Sequence, residues 1–393
     1  MRRHEHAFRR LTLDAGFVSE AVGVGDFNRD GILDVVAGPC WYEGPDFKRR
    51  HVIFPFEQCD PHGYSPVTQP CFVHDFNGDG WPDVFVVRRP PGPKNDHGFL
   101  GWGEANGWEG AWYENPAGKN VPWRAHVVLD NIANEALVWG DINGDGRPEL
   151  VYSTREHYGY AAFDPRNPRK PWVFHPVSEP ANLYLASGVG FGDITGNGKN
   201  DMVCPNGWWE QPDDAAPGKP WIWHPHKFAE NAAQMIVHDV DGDGLNDVIT
   251  IWHCHRHGLV WHRQTRDAGG KIFWEMREIL PLQPDTQPSV PRISQMHALA
   301  LADMNGDGVM DVVTGKRFWA HGETGDVEPD HPAVVCWFEL RRGNGVEFIP
   351  HCVDADSGVG TQVVAADLTG NGMPDIVTSN KKGVHIHFNT PPA

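Results

Sequence analysis

The chain has 393 residues, 40 % of them hydrophobic and including 17 Trp and 19 Phe, which is ample apolar surface for a sizeable core. Its 52 acidic residues outnumber 33 Lys and Arg for a formal net charge of −19, and no polybasic run or apolar segment of spanning length occurs, which argues against nucleic acid and membrane as partners. The opening MRRHEHAFRR lacks the apolar stretch of a secretory signal, and seven dispersed cysteines without CxxC spacing suit a reducing compartment, so the expected location is cytoplasmic, or secreted or periplasmic if a signal was removed.

The first predicted element is a strand over Phe8 to Leu13, with the same pattern as the later segment KRRHVIF. Seven units follow, each predicted as strand, acidic nine-residue loop, strand, connection, aromatic strand, turn and strand. The first loop, DFNRDGILD, places Asp26, Asn28, Asp30 and Asp34 at positions one, three, five and nine; the second, DFNGDGWPD, places Asp75, Asn77, Asp79 and Asp83 there. The third, DINGDGRPE, has Asp141, Asn143, Asp145 and Glu149; the fourth, DITGNGKND, keeps carboxylates only at Asp193 and Asp201. The fifth, DVDGDGLND, is the richest with Asp239, Asp241, Asp243 and Asp247. The sixth, DMNGDGVMD, has Asp303, Asn305, Asp307 and Asp311, and the seventh, DLTGNGMPD, has Asp367 and Asp375.

Successive first aspartates lie 49, 66, 52, 46, 64 and 64 residues apart, the length of a four-stranded unit with variable loops. Such a unit cannot bury both faces alone, so the pattern predicts an all-β chain, a seven-bladed β-propeller spanning 1–393 as one domain. The seventh unit stops after GVHIHFN without a fourth strand, and the N-terminal strand is expected to supply it and close the ring.

In each loop a Gly at position six permits the turn that brings the oxygen ligands together. Clustered carboxylates repel, and Ca²⁺ is the expected structural neutraliser; the competing reading is an Asx turn held by side-chain to backbone hydrogen bonds. These ligand positions hold 20 of the acidic residues, leaving 32 against 33 basic ones, so the acidity belongs to the loops.

The face opposite the loops collects a different chemistry. Arg88, with Arg89 and His97, comes from the second unit, Arg155, His157 and Tyr158 from the third, and Trp208 from the fourth. His253, His255, Arg256 and His257 come from the fifth, His297, Lys316, Arg317, Trp319 and His321 from the sixth, and Lys381 from the seventh. His297 is the first candidate for proton transfer, with His321, His157 and Tyr158 as alternates; Lys316 and Arg317 could stabilise an oxyanion. Trp319 offers a sugar platform, Trp208 and Lys381 are further candidate substrate contacts, and Arg88, Arg155 and Arg256 would suit a carboxylate. An extended strand would set His253, His255 and His257 on one side, where they could hold Zn²⁺ or another divalent metal. The regular His51, His126, His175 and His351 of the fourth strands are assigned to blade packing or surface.

The nine-residue loops resemble FG-GAP/VCBS repeats of integrin-type and bacterial propellers, a scaffold that serves adhesion, sugar binding and lyase chemistry alike. The segments NEALVWGDINGDGRPEL, GWWEQP, AQMIVHDVDGDG, TGKRFWAHG and DSGVGTQVVAAD are also similar to bacterial VCBS-type propellers and to the propeller domain of aldos-2-ulose dehydratase. That resemblance implies a carbohydrate-active lyase or dehydratase performing β-elimination on a keto-sugar or keto-glycoside, with a sugar or oligosaccharide as partner. The alternatives are a polysaccharide lyase of uronic-acid-containing polymers, as in the seven-bladed ulvan lyases, or a non-catalytic propeller that binds carbohydrate or protein. The oligomeric state is open.

Overall fold

A computed structural model describes residues 7–56, 58–63, 70–88, 108–181, 183, 188–213, 219–284 and 291–390; Arg89 and His97 lie outside them. The described strands form seven four-stranded antiparallel sheets in a ring, a seven-bladed β-propeller. The first strand of each blade is innermost: Gly23–Gly25 of the first blade lies beside Cys71–His74 of the second and Val363–Ala366 of the seventh.

Ring closure follows the expected route. Ala7–Asp14 pairs antiparallel with Gly383–Thr390, in the register Ala7↔Thr390 to Leu11↔Ile386, and becomes the outer strand of the seventh blade. Arg10 reaches across to Asp354 of the sixth blade at 3.1 Å, and Asp14 accepts from Arg50 of the first at 3.0 Å. One segment therefore ties three blades and covers an otherwise open sheet edge.

Six of the loops share one hydrogen-bonded form, in which the first aspartate accepts the N–H groups of positions five and six, as Asp26 does from Asp30 (3.0 Å) and Gly31 (2.9 Å). In the fifth, Asp239 accepts from Gly244, and the Asp243 N–H goes to Asp241 (3.2 Å). The sixth-position glycines all have φ between +84° and +87°, a region costly for a side chain. The ninth carboxylate points inward: Asp34 accepts from Phe27 and Gly44 N–H, both at 2.8 Å, and Asp311 from Met304 and Leu340, both at 2.9 Å. It thereby pins the loop's start to the third strand's end, except in the third loop, where Glu149 accepts from Ile142 N–H and Asn143 Nδ2.

The histidines assigned to packing lie against third-strand aromatics: ring centroids are 3.9 Å apart in Trp41–His51, 4.1 Å in Trp337–His351, 4.5 Å in Trp112–His126 and 5.0 Å in Tyr160–His175. His224, which the sequence reading did not single out, stacks on Trp208 in the same way at 4.1 Å. Glu43, Glu210 and Glu339 cap the outer nitrogens of His51, His224 and His351 at 2.7–2.9 Å. Between blades, aromatic clusters such as Phe76, Phe85, Trp112 and Trp172 form the core.

Candidate active site at the mouth of the propeller

Glu20, Glu135 and His297 each stand six residues ahead of the first aspartate of their loop, so the repeat places them at one level around the axis. Arg317 occupies the space between. Its guanidinium donates to Glu20 and, at 3.3 Å, to Glu135, and Arg317 and Glu20 are 2 % and 0 % exposed. The Arg317 N–H bonds the Gln295 carbonyl (3.0 Å), and the residue makes a parallel bridge with Val359, so the main chain holds it where three blades meet. Gly360 supports this packing, because a Cβ there would stand 2.1 Å from the Glu20 carbonyl oxygen.

Beside this clamp, His255 stands 4.9 Å from His297 and 4.5 Å from His321, measured between ring centroids. His297 is buried, and its Nδ1 lies 3.0 Å from the Gln295 carbonyl, an acceptor only. Nδ1 therefore carries the proton and Nε2 is a bare acceptor, buried without a hydrogen-bond partner, as is His255 Nδ1. Burial, with Arg317 and His255 nearby, holds His297 well below the usual imidazole range; burial and His321 bring His255 down to about 4. Of the three, His321 reaches solvent, with a 42 % exposed side chain. Its N–H donates to Asp326 Oδ1 (2.8 Å), which lies 3.5 Å from its Nδ1.

Glu20 Oε1, Gln295 Oε1 and Asp326 Oδ2 are also buried without a partner. Unsatisfied buried polar atoms are uncommon in folded proteins, and several of those in the described residues gather here. Gln295, Trp319 and Glu328 add left-handed backbone at φ 58°, 54° and 53° in non-glycine residues, strain of the kind that functional sites retain. An aromatic wall flanks the mouth: Trp319 packs on Phe318 (4.6 Å) and His62 (5.0 Å), and Lys382 lies over Phe318. Lys381 is buried with its Nζ over the Phe17 ring (5.8 Å), its pKa lowered by burial against the pull of Glu20.

The structure thus brings together His255, His297, Arg317, Trp319, His321 and Lys381, keeps Arg256 exposed beside His255, and separates the remaining sequence candidates. Lys316 is committed inside the fold, where its buried ammonium donates to Ser294 Oγ and the Glu328 carbonyl, both at 2.8 Å. His253, His255 and His257 do not share a side, because the segment turns back on itself: Trp252 N–H bonds the Gly258 carbonyl and Arg256 N–H that of His253. His253 Nδ1 accepts the His255 N–H, and His257 Nε2 is 3.2 Å from Glu328. Tyr158 is a core residue packed on Trp209, its hydroxyl pushed up by burial. His157 is held through Nδ1 to the Ser178 carbonyl (2.9 Å), and Trp208 is buried under His224. Arg88 pairs with Glu109 (3.3 Å) and the Tyr113 hydroxyl (3.1 Å) on the second blade. Arg155 receives the Leu183 N–H on its carbonyl, and Arg256, exposed, receives that of Gln295.

Sequence reasoning passed over Glu20, Glu135, Cys254, Gln295 and Asp326. The two glutamates were legible as the counterparts of His297 six residues before their loops; the others lie in connections with no repeat to index them.

The fold and the acidic loops define a repeat-built seven-bladed β-propeller whose blade mouths carry the polar cluster. The profile of the FG-GAP-like repeat matches residues 75–152 and 239–314. No curated protein matches the chain in sequence. Among solved structures it is similar to rhamnogalacturonan lyase YesW (14 % identity, 97 % of this chain and 76 % of that one, TM-score 0.49). It is also similar to the Bacillus licheniformis rhamnogalacturonan lyase PL11 (12 %, 97 % and 76 %, 0.47) and to the Photorhabdus luminescens Tc holotoxin pore (17 %, 94 % and 16 %, 0.36). At this distance the likenesses say nothing about chemistry.

Proposed function

We propose that this propeller is a carbohydrate lyase that performs β-elimination on a keto-sugar or keto-glycoside bound at the mouth. The observation that carries the reading is the group of three imidazoles beside a buried guanidinium, with an aromatic wall at the opening. Elimination begins with removal of the proton next to a carbonyl and needs a base and a stabiliser for the enolate. A base must return its proton to solvent between turnovers, and His321, exposed and oriented by Asp326, meets that requirement better than buried His297. Lys381 would supply positive charge towards the enolate oxygen, and the Trp319 face would hold the ring. Arg317 is already balanced by Glu20 and Glu135, which favours a neutral keto-sugar over an anionic uronate. One observation favours a uronate polymer as second reading: Arg256 is exposed next to His255 and could receive a carboxylate.

The test is a screen of the full chain against keto-sugars, keto-glycosides and uronate polymers, read as ultraviolet absorbance of the unsaturated product. The active class should lose about 10²- to 10⁴-fold in rate in His321→Ala, with melting unchanged because the ring is exposed. No product from any class overturns the reading in favour of a binding propeller.

For the acidic loops the proposal is structural Ca²⁺. Oxygens of Asp141, Asp145 and Glu149, and of Asp239, Asp241 and Asp247, lie within 4.8 Å of one another, a spacing a hard cation can close. Burial first, and the neighbouring loop carboxylates to a lesser degree, push Asp83 up to about 8 and Glu149 to about 7, and a bound cation would favour the charged forms. In the fifth loop Arg263 already binds Asp241 and Asp243, so this loop, the richest in carboxylates, has a guanidinium as competitor.

A further inference from the structure

We infer that Cys254, His255 and His297 form a site for a divalent transition metal, with zinc the best fit, at the base of the mouth. The Cys254 sulfur and one nitrogen from each imidazole lie within 4.8 Å of one another. Two observations separate this group from a chance cluster. His297 Nε2, on a side chain 3 % exposed, is a bare lone pair with no donor, because Nδ1 keeps the proton and donates it in a hydrogen bond to the Gln295 carbonyl. That backbone contact is the arrangement by which proteins orient metal-binding histidines. His255 Nδ1 is a second buried nitrogen without a partner.

The donor set selects the ion. One thiolate and two imidazoles suit zinc and exclude the oxygen-seeking Ca²⁺ and Mg²⁺ of acidic loops. Zinc bonds of about 2.0–2.3 Å require donor atoms within about 4 Å of each other, so side-chain rotations of about an ångström would complete the set. The charge is tolerable: the cysteine thiolate offsets part of the ion's charge, and nearby Arg317 is already matched by Glu20 and Glu135. Three protein ligands leave one position of a tetrahedral ion, the composition of an open rather than a closed zinc site. His321 packs against His255, so this position would face the mouth, where a sugar oxygen could take it. The site differs from the expected His253, His255 and His257 group, of which it retains only His255.

The inference deepens the lyase reading, yet its test reads metal and not turnover, so either can fail alone. The full chain is stripped with a chelator, supplied with Ca²⁺ to satisfy the loops, and titrated with Co²⁺, whose visible bands report tetrahedral geometry and whose near-ultraviolet charge-transfer band reports thiolate. The expected result is about one tightly held Co²⁺ per chain, displaced by Zn²⁺, with both spectral features. Cys254→Ser should abolish the charge-transfer band. His297→Gln should weaken binding by more than the roughly 10- to 100-fold typical of losing an outer-shell partner. Unchanged spectra in both variants would overturn the assignment. Should both variants fail to fold, the parent chain decides: saturation with Co²⁺ without a thiolate band, or no binding, overturns it as well.

Discussion

Arg317 is the place where the stability of the ring and the shape of the mouth meet, and its removal has a calculable consequence. Arg317→Met keeps most of the side-chain volume but leaves the carboxylate of Glu20, fully buried, without its guanidinium. Breaking a buried pair from one side costs about 3–5 kcal/mol, because the remaining charge stays desolvated. Lys381, also buried and under the influence of Glu20, offsets part of this loss, so the expectation falls near the lower end, about 3 kcal/mol. Glu20→Gln should cost less, since Arg317 keeps Glu135, which is 26 % exposed and partly solvated. The double variant should be less destabilised than the sum of the singles by about 1–3 kcal/mol, the signature of residues in direct contact. Urea unfolding followed by tryptophan fluorescence measures all four corners of the cycle, provided the variants share one slope. Additivity within about 0.5 kcal/mol would refute the clamp, and with it the argument that Arg317 is already neutralised before substrate arrives.

Further outcomes follow from other parts of the fold. A chelator should lower the melting temperature, since ions that bind only the folded loops stabilise by mass action, and Asp141→Ala should lower it more than Thr369→Ala; equal, negligible effects would make the loops plain turns. Deleting residues 1–14 should lower the melting temperature and promote association by baring the Gly383–Thr390 edge, whereas unchanged melting and a monodisperse profile would contradict ring closure. Burial brings His262 down to about 4, with the Phe228 carbonyl at its Nε2. Its folded pKa lies below the unfolded value, so the unfolded chain binds the extra proton, and this contribution is fully present above about pH 6.5 and is lost as the pH falls towards about 4. The difference in stability between the parent and His262→Asn should therefore shrink by up to about 3 kcal/mol across that window, and a constant difference would refute the buried neutral state.

What the sequence determined by itself was everything set by a period. The nine-residue loops, the glycines at their sixth position and the alternation of the flanking strands specify seven identical solutions to one local problem, so the blade order, the ring and the closing role of Phe8 to Leu13 were all legible. The same periodicity allowed His51 and its counterparts to be set aside, since a residue repeated in blade after blade serves the blade. The mouth obeys no such period. It is assembled from connections of different length, and whether a side chain there enters the centre depends on turns and neighbours contributed from elsewhere in the chain. His253, His255 and His257 alternate in sequence, but the turn closed by Trp252 and Gly258 sends them to different partners. Lys316 and Arg317 are adjacent, yet successive residues of an extended chain point to opposite sides: one ammonium ends on Ser294, the other cation on Glu20 and Glu135. Only the tertiary structure, by bringing together Glu20 and Arg317 from 297 positions apart, decided which of two neighbouring cations stands at the axis.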